Sequence, residues 1–206
     1  MTNKLLFFVL LALCFSGCDM LETHLYDVHI TGERELTNKN IQLIENKMQG
    51  KKTIRFAMIS DTQRWYNSTE DVVKALNARG DIDFVIHGGD QSDFGVTKEF
   101  IWMRDIFNKF QMPYVCLLGN HDCLGTGEDA YRAIYGDPNF AFTAGNVRFI
   151  CLNTNAMEYD YSEPVPDFNF IENELNNLSP EIEKTVFAMH VKPFEFVFNN
   201  NVAKIF

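Results

Sequence analysis

The chain has 206 residues, 46% of them hydrophobic, enough for one domain with a substantial core and too few for two full ones. With 28 acidic against 18 basic residues and a formal charge of −10, it would be repelled by a polyphosphate backbone, so general nucleic-acid binding is not expected.

Leu5 to Phe15 is an apolar run preceded by Lys4 and followed by Ser16, Gly17 and Cys18. It is too short for a bilayer, which takes ~20 helical residues, and reads as a signal peptide. Phe15-Ser16-Gly17-Cys18 resembles a bacterial lipoprotein cleavage site, which implies lipidation of Cys18, a membrane anchor and a place in the cell envelope facing the periplasm or the cell surface. Such cleavage would remove Lys4 and no acidic residue. Residues 18 to 52 read as a tether and N-terminal extension, with a short helix at Lys39 to Met48, and residues 53 to 206 as the functional domain.

From there strands and helices alternate. Strands are expected at Ile54 to Ser60, Phe84 to His87 and Pro113 to Leu118, and helices at Ser68 to Arg79, with Ser68 as the cap, and Thr97 to Phe110. A short helix at Glu128 to Tyr135 leads into a hairpin, Phe140 to Thr143 and Val147 to Leu152, turning at Ala144-Gly145-Asn146. After Pro164 and Pro166 come a helix at Phe168 to Leu178 and a strand from Thr185 to Met189, ending at His190. Parallel βαβ units followed by a hairpin predict an α/β fold with mixed sheets, two of them packed face to face. Cys116 and Cys151 sit in apolar strand runs as small hydrophobes, and the cysteines outside the leader form neither a disulfide framework nor a structural zinc pattern.

Three polar clusters follow these strands: Ser60-Asp61-Thr62-Gln63, Gly88-Gly89-Asp90-Gln91-Ser92-Asp93 and Gly119-Asn120-His121-Asp122. They recur about thirty residues apart, the length of a strand, a crossover helix and the next parallel strand. An aspartate after a strand is ordinarily a turn or cap residue. Recurrence changes that reading, because in open α/β sheets ligands gather beyond the carboxyl ends of the strands. Carboxylates, amides and imidazoles brought to one crevice suit a binuclear metal site for phosphate-ester hydrolysis. Two cations can clamp the attacking and leaving oxygens of an in-line displacement.

These motifs, with His190, resemble the calcineurin-like metallophosphoesterase superfamily, whose pattern is Asp-x-His, Gly-Asp-x-x-Asp, Gly-Asn-His-Asp/Glu, a lone His and Gly-His-x-His. The resemblance implies a four-layer α/β/β/α sandwich binding two divalent or mixed-valence metal ions, with Mn, Fe or Zn suited to the oxygen and nitrogen donors. It implies Asp61 on the first metal, Asp90 bridging both, and Asn120 and His190 on the second. His121 would protonate the leaving oxygen, oriented by Asp93. The substrate would be a small phosphate ester or nucleotide-like molecule.

Two departures stand out. Gln63 takes the place of a histidine, as in some superfamily members acting on nucleoside diphosphate derivatives, and can coordinate only weakly. Only 16 residues follow His190, none of them histidine, so the terminal Gly-His-x-His is missing. These departures predict a fold without its C-terminal segment, weak metal binding and low activity. A helix just beginning is expected at Asn199 to Phe206. The rival reading is an envelope binding lipoprotein that keeps the fold but not the metals. An aromatic-lined glycan-binding protein has only composition behind it. His24, His29, His87 and Cys123 receive packing or surface roles. Phe94 stands where the superfamily's protein phosphatases carry a phosphate-gripping arginine, which argues against that activity.

Overall fold

The computed structural model describes residues 24–159 and 164–198. The apolar run at residues 5–15, Cys18 and the helix start expected at Asn199 to Phe206 lie outside the described residues. Among the described residues no helix is long and apolar enough to cross a membrane.

The chain enters through α1 (Leu36–Met48) and builds a parallel sheet from β1 (Phe56–Ile59), β2 (Phe84–His87) and β3 (Tyr114–Cys116). β2 and β3 are buried at every position, which is why each reads as an unbroken apolar run. β1, at the edge, alternates exposed with half-buried residues. The crossover helices α2 (Tyr66–Arg79) and α3 (Thr97–Phe107), together with α4 (Gly127–Ile134), cover the outer face through Val73, Phe100, Met103, Phe107 and Tyr131.

The second sheet is mixed. β4 (Phe140–Ala144) and β5 (Val147–Leu152) form an antiparallel hairpin, and β6 (Lys184–Met189) lies parallel to β5. Its outer face is covered by α5 (Phe168–Asn176), whose Ile171 packs on Ile150 and Leu152. Asp167 caps α5 by accepting a hydrogen bond from the Phe170 N–H at 3.0 Å. The layers therefore run helices, parallel sheet, mixed sheet, helix.

The inner faces of the sheets meet in an aromatic core. Phe142 and Phe149 stack with centroids 4.8 Å apart, and Phe84 from the facing sheet meets both edge-on at 5.6 and 5.5 Å. Each such pair adds ~0.5–1.5 kcal/mol to the burial itself. Ile44 and Met48 of α1 are fully buried in the same core, so the segment before Thr53 includes part of the packed body. It is tied down further by Arg104, whose buried guanidinium donates to the carbonyls of Thr31 at 2.5 Å and Glu33 at 3.2 Å.

Helix boundaries differ from expectation in places. α1 begins at Leu36, three residues before Lys39, while α3 ends at Phe107, short of Phe110. α2 begins at Tyr66, so Ser68 lies inside its first turn and is not the cap. The Trp65 N–H donates to the Thr62 carbonyl at 3.0 Å, closing a turn immediately after Gln63. The Tyr66 ring packs edge-on against Trp102 at 5.8 Å, which draws the helix start back towards the Asp61 loop.

Candidate metal centre

In the parallel sheet Ile59 pairs with His87 and His87 with Cys116, so the three polar clusters emerge side by side. In the second sheet Leu152 pairs with Met189, which brings His190 out at the same end. Asp61, Asp90 and His190 each offer a donor atom, and the three atoms lie within 4.8 Å of one another. Asn120 Oδ1 is 3.1 Å from His190 Nε2, and Gln63 Nε2 is 3.5 Å from Asp90 Oδ2. All five residues singled out as metal donors meet in one place.

The loops that deliver them are strained and tightly sewn. Asp61 and Asp90 have φ of 56° and 61°, a left-handed conformation that costs a non-glycine residue ~1–3 kcal/mol and that aspartate tolerates better than most. The Asp61 N–H donates to the Gly89 carbonyl at 3.1 Å, and the His121 N–H to Asp90 Oδ1 at 3.0 Å. Gly119 has no room for a side chain, since a Cβ there would overlap Asp90 Oδ1.

Three residues given no site role by the sequence reading hold this geometry. Asp122 is fully buried and accepts five hydrogen bonds. They come from the N–H groups of Asp90, Gln91, Ser92 and Gly119 and from the Ser92 hydroxyl, at 2.8–3.1 Å. Burial pushes its carboxyl up to about 6. Glu99 Oε2 accepts from the N–H groups of Asp93, Phe94 and Val96 at 3.1–3.3 Å, fixing the far side of the same loop. His87, buried, accepts from the Gly89 N–H through Nδ1 at 3.2 Å and so donates through Nε2 to Thr62 Oγ1 at 2.9 Å. Burial, reinforced by His190, holds its imidazole down at about 3, so it is neutral. The signals were present: Asp122 closes the Gly-Asn-His-Asp run, and His87 ends β2.

His190 Nδ1 lies 2.8 Å from the Gly88 carbonyl, which can only accept, so the ring proton belongs on Nδ1 and the lone pair of the neutral ring on Nε2. That lone pair faces another acceptor, Asn120 Oδ1, at 3.1 Å, and lies 3.5 Å from Asp90 Oδ1. A divalent cation with bonds of ~2.0–2.2 Å would satisfy these three atoms together. Burial raises the pKa of the Asp90 carboxyl, a cost that a cation relieves. Among the described residues the buried acceptor Gln63 Oε1 has no hydrogen-bond partner, and exchanging the ends of this amide would present that oxygen on the Asp90 side. The donor set fits a divalent cation.

Asp93 is placed differently from its expected role. Its main-chain carbonyl, at 2.9 Å, orients His121 Nδ1, while its carboxylate stands 3.7 Å away and accepts from Arg64 Nη2 at 2.5 Å. The carboxylate is buried against a guanidinium, which satisfies it without the imidazole. The carbonyl hydrogen bond raises the pKa of His121 above its ordinary value, and it engages Nδ1, so that Nε2 is the nitrogen that can act on a substrate.

A cleft of about 380 Å³ opens over Asp61, Asn120 and His190. A larger groove of about 650 Å³, between α1 and the connection from α3 to β3, contains none of the candidate donors.

The family model described as calcineurin-like phosphoesterase matches residues 54–206. A 3′,5′-cyclic-nucleotide phosphodiesterase of Nostoc sp. is 27% identical over 124 residues, covering 59% of this chain and 46% of that protein. A purple acid phosphatase from yellow lupin (Lupinus luteus) seeds superposes with a TM-score of 0.51 at 16% identity, over 68% of this chain and 30% of that one, a likeness of fold. The chain thus spans less than half the length of either protein.

Proposed function

The chain belongs to the calcineurin-like phosphoesterase family, and on that premise we propose that it is a metal-dependent hydrolase of phosphate esters working through a binuclear site. The observation that carries the proposal is the convergence of Asp61, Gln63, Asp90, Asn120 and His190 at the shared edge of two sheets. Asp61 and Gln63 would hold one ion, Asn120 and His190 the other, and Asp90, between them, would serve both. Two such ions, Mn, Fe or Zn, would polarise the phosphoryl oxygens and lower the pKa of the attacking water.

The chain's own residues supply the rest. His121, oriented through Nδ1 by the Asp93 carbonyl, carries its transferable proton on Nε2 and gives it to the leaving oxygen. Its raised pKa keeps the imidazolium populated nearer neutral pH. Asp122, Glu99 and His87 keep the loops in place, so that little rearrangement is needed at the moment of reaction. The 27% identity to a cyclic-nucleotide phosphodiesterase supports phosphodiesters among the substrates.

The test is metal uptake and turnover in one preparation. Chain equilibrated with millimolar Mn²⁺, Fe²⁺ or Zn²⁺ is expected to retain metal and to release p-nitrophenol from bis(p-nitrophenyl) phosphate. A chain that takes up no metal and releases no product refutes the proposal. We further propose lipid attachment at Cys18, supported by the short apolar run and the small residues before it. Metabolic labelling with a tagged fatty acid in a bacterial host should mark the chain, and a Cys18→Ala chain labelled equally would refute it.

A further inference from the structure

Beyond Asp61 lies a second recess of about 340 Å³, where the end of β1 meets the first turns of α2. Ser60 and Asp61 line both this recess and the cleft, so the two hollows adjoin at a candidate metal donor. The recess is walled by Ile59, Val72 and Trp65, and Trp65 is 65% exposed, an indole kept out of the core beside the site.

Its hydroxyls are largely engaged within the protein. Thr62 Oγ1 pairs with His87, Thr69 Oγ1 donates to the Trp65 carbonyl at 2.8 Å, and Ser60 Oγ reaches the Gly89 carbonyl at 3.4 Å. Ser68 lies on the exposed rim. Among the described residues no charged side chain but Asp61, at the boundary, lines the recess. Walls with their polar groups already paired offer little to a sugar or an ion. An indole and two aliphatic side chains suit a flat, uncharged ring.

We propose that this recess receives the aromatic ring of the phosphoester substrate, packed against Trp65, with the ester phosphate over Asp61 towards the metal donors. The inference rests on the hydrolase reading above and narrows its substrate to esters that carry a ring. A phenyl group and a nucleobase share the required chemistry.

Trp102→Phe leaves Trp65 as the sole tryptophan, a reporter at the recess. With Mn²⁺ present, phenyl phosphate and adenosine 5′-monophosphate are expected to quench its emission and to bind at least about tenfold tighter than ring-free glycerol 3-phosphate, within what one base–aromatic stack supplies. The tighter of the two shows which kind of ring the recess prefers. Val72→Arg, placed on the exposed side of α2 to fill the recess, should cut the advantage below about threefold while Mn²⁺ uptake is unchanged. Equal affinity for ringed and ring-free phosphates overturns the proposal even where the metal binds. Failure of the hydrolase reading registers separately, as absent Mn²⁺ uptake. In that case the substrate assignment falls with the hydrolase reading, and adenosine and phenol test only whether the recess takes a ring, silence overturning that as well.

Discussion

Replacing Phe149 with alanine should cost more than any exposed aromatic substitution in this chain. Phe149 is 1% exposed, stacks on Phe142 at 4.8 Å, and is met edge-on by Phe84 at 5.5 Å and Phe56 at 5.4 Å. Removing a buried phenyl ring costs ~3–5 kcal/mol, which includes both the lost transfer from water and the cavity left between the sheets. The upper half of that range is expected, because strands from both sheets line the hole and cannot close it without shifting register. For a domain of this size 1 kcal/mol moves the melting temperature by ~2–4 °C, so ~4–5 kcal/mol predicts a fall of ~8–20 °C. Far-UV circular dichroism during thermal and urea unfolding would measure it, with Phe94→Ala, at a residue 57% exposed, as a control expected within ~0.5 kcal/mol of the parent. A loss below ~1 kcal/mol for Phe149→Ala would show that the aromatic cluster is not what joins the two sheets.

Other consequences can be checked separately. His121→Ala should lower turnover by ~10²–10⁴ with metal content unchanged, whereas Asp90→Ala should lose metal; emptying of the site by His121→Ala would reverse the assigned roles. Gly119→Ala should weaken Mn²⁺ binding at least tenfold in calorimetry, since its Cβ would overlap both the Asp90 carboxylate and the Asp90 main-chain nitrogen and displace that loop, and unaltered affinity would contradict that crowding. His87 titrates at about 3 in the fold against ~6.5 when unfolded, so its contribution is fully present above pH 6.5 and is lost as pH falls towards 3. The loss amounts to at most ~5 kcal/mol, and the urea midpoint of His87→Gln should fall less steeply than the parent's between pH 6.5 and 4. Parallel slopes would show that His87 is not the group responsible.

The convergence of the candidate donors was legible because they obey a spacing rule: each stands just past a strand, and parallel register does the rest. The two-sheet architecture was legible from the change of pattern after Tyr135, where crossover units give way to a hairpin. Less visible was whatever depends on who meets whom across the fold. Asp122 appeared as one letter of a motif, but its five hydrogen bonds come from two separate loops. The Asp93 carboxylate looked free to face His121 until Arg64, a neighbour of Gln63 with a φ of 67°, proved to hold it. The start of α2 was misplaced because a capping pattern at Ser68 competes with a tertiary contact between Tyr66 and Trp102, and local propensity yields to packing.

Of the five candidate donors, four extend from the parallel sheet, and His190 alone comes from the mixed one. A cation shared among them would act as a rivet through the sandwich, adding to the side-chain packing and to hydrogen bonds between the layers such as that of His190 Nδ1 to the Gly88 carbonyl. Because it binds only the closed arrangement, it would slow the parting of the sheets and shield their inner faces from proteases. Metal supply would then set the lifetime of the protein as well as its activity, and starvation for the ion would show first as faster turnover of the chain.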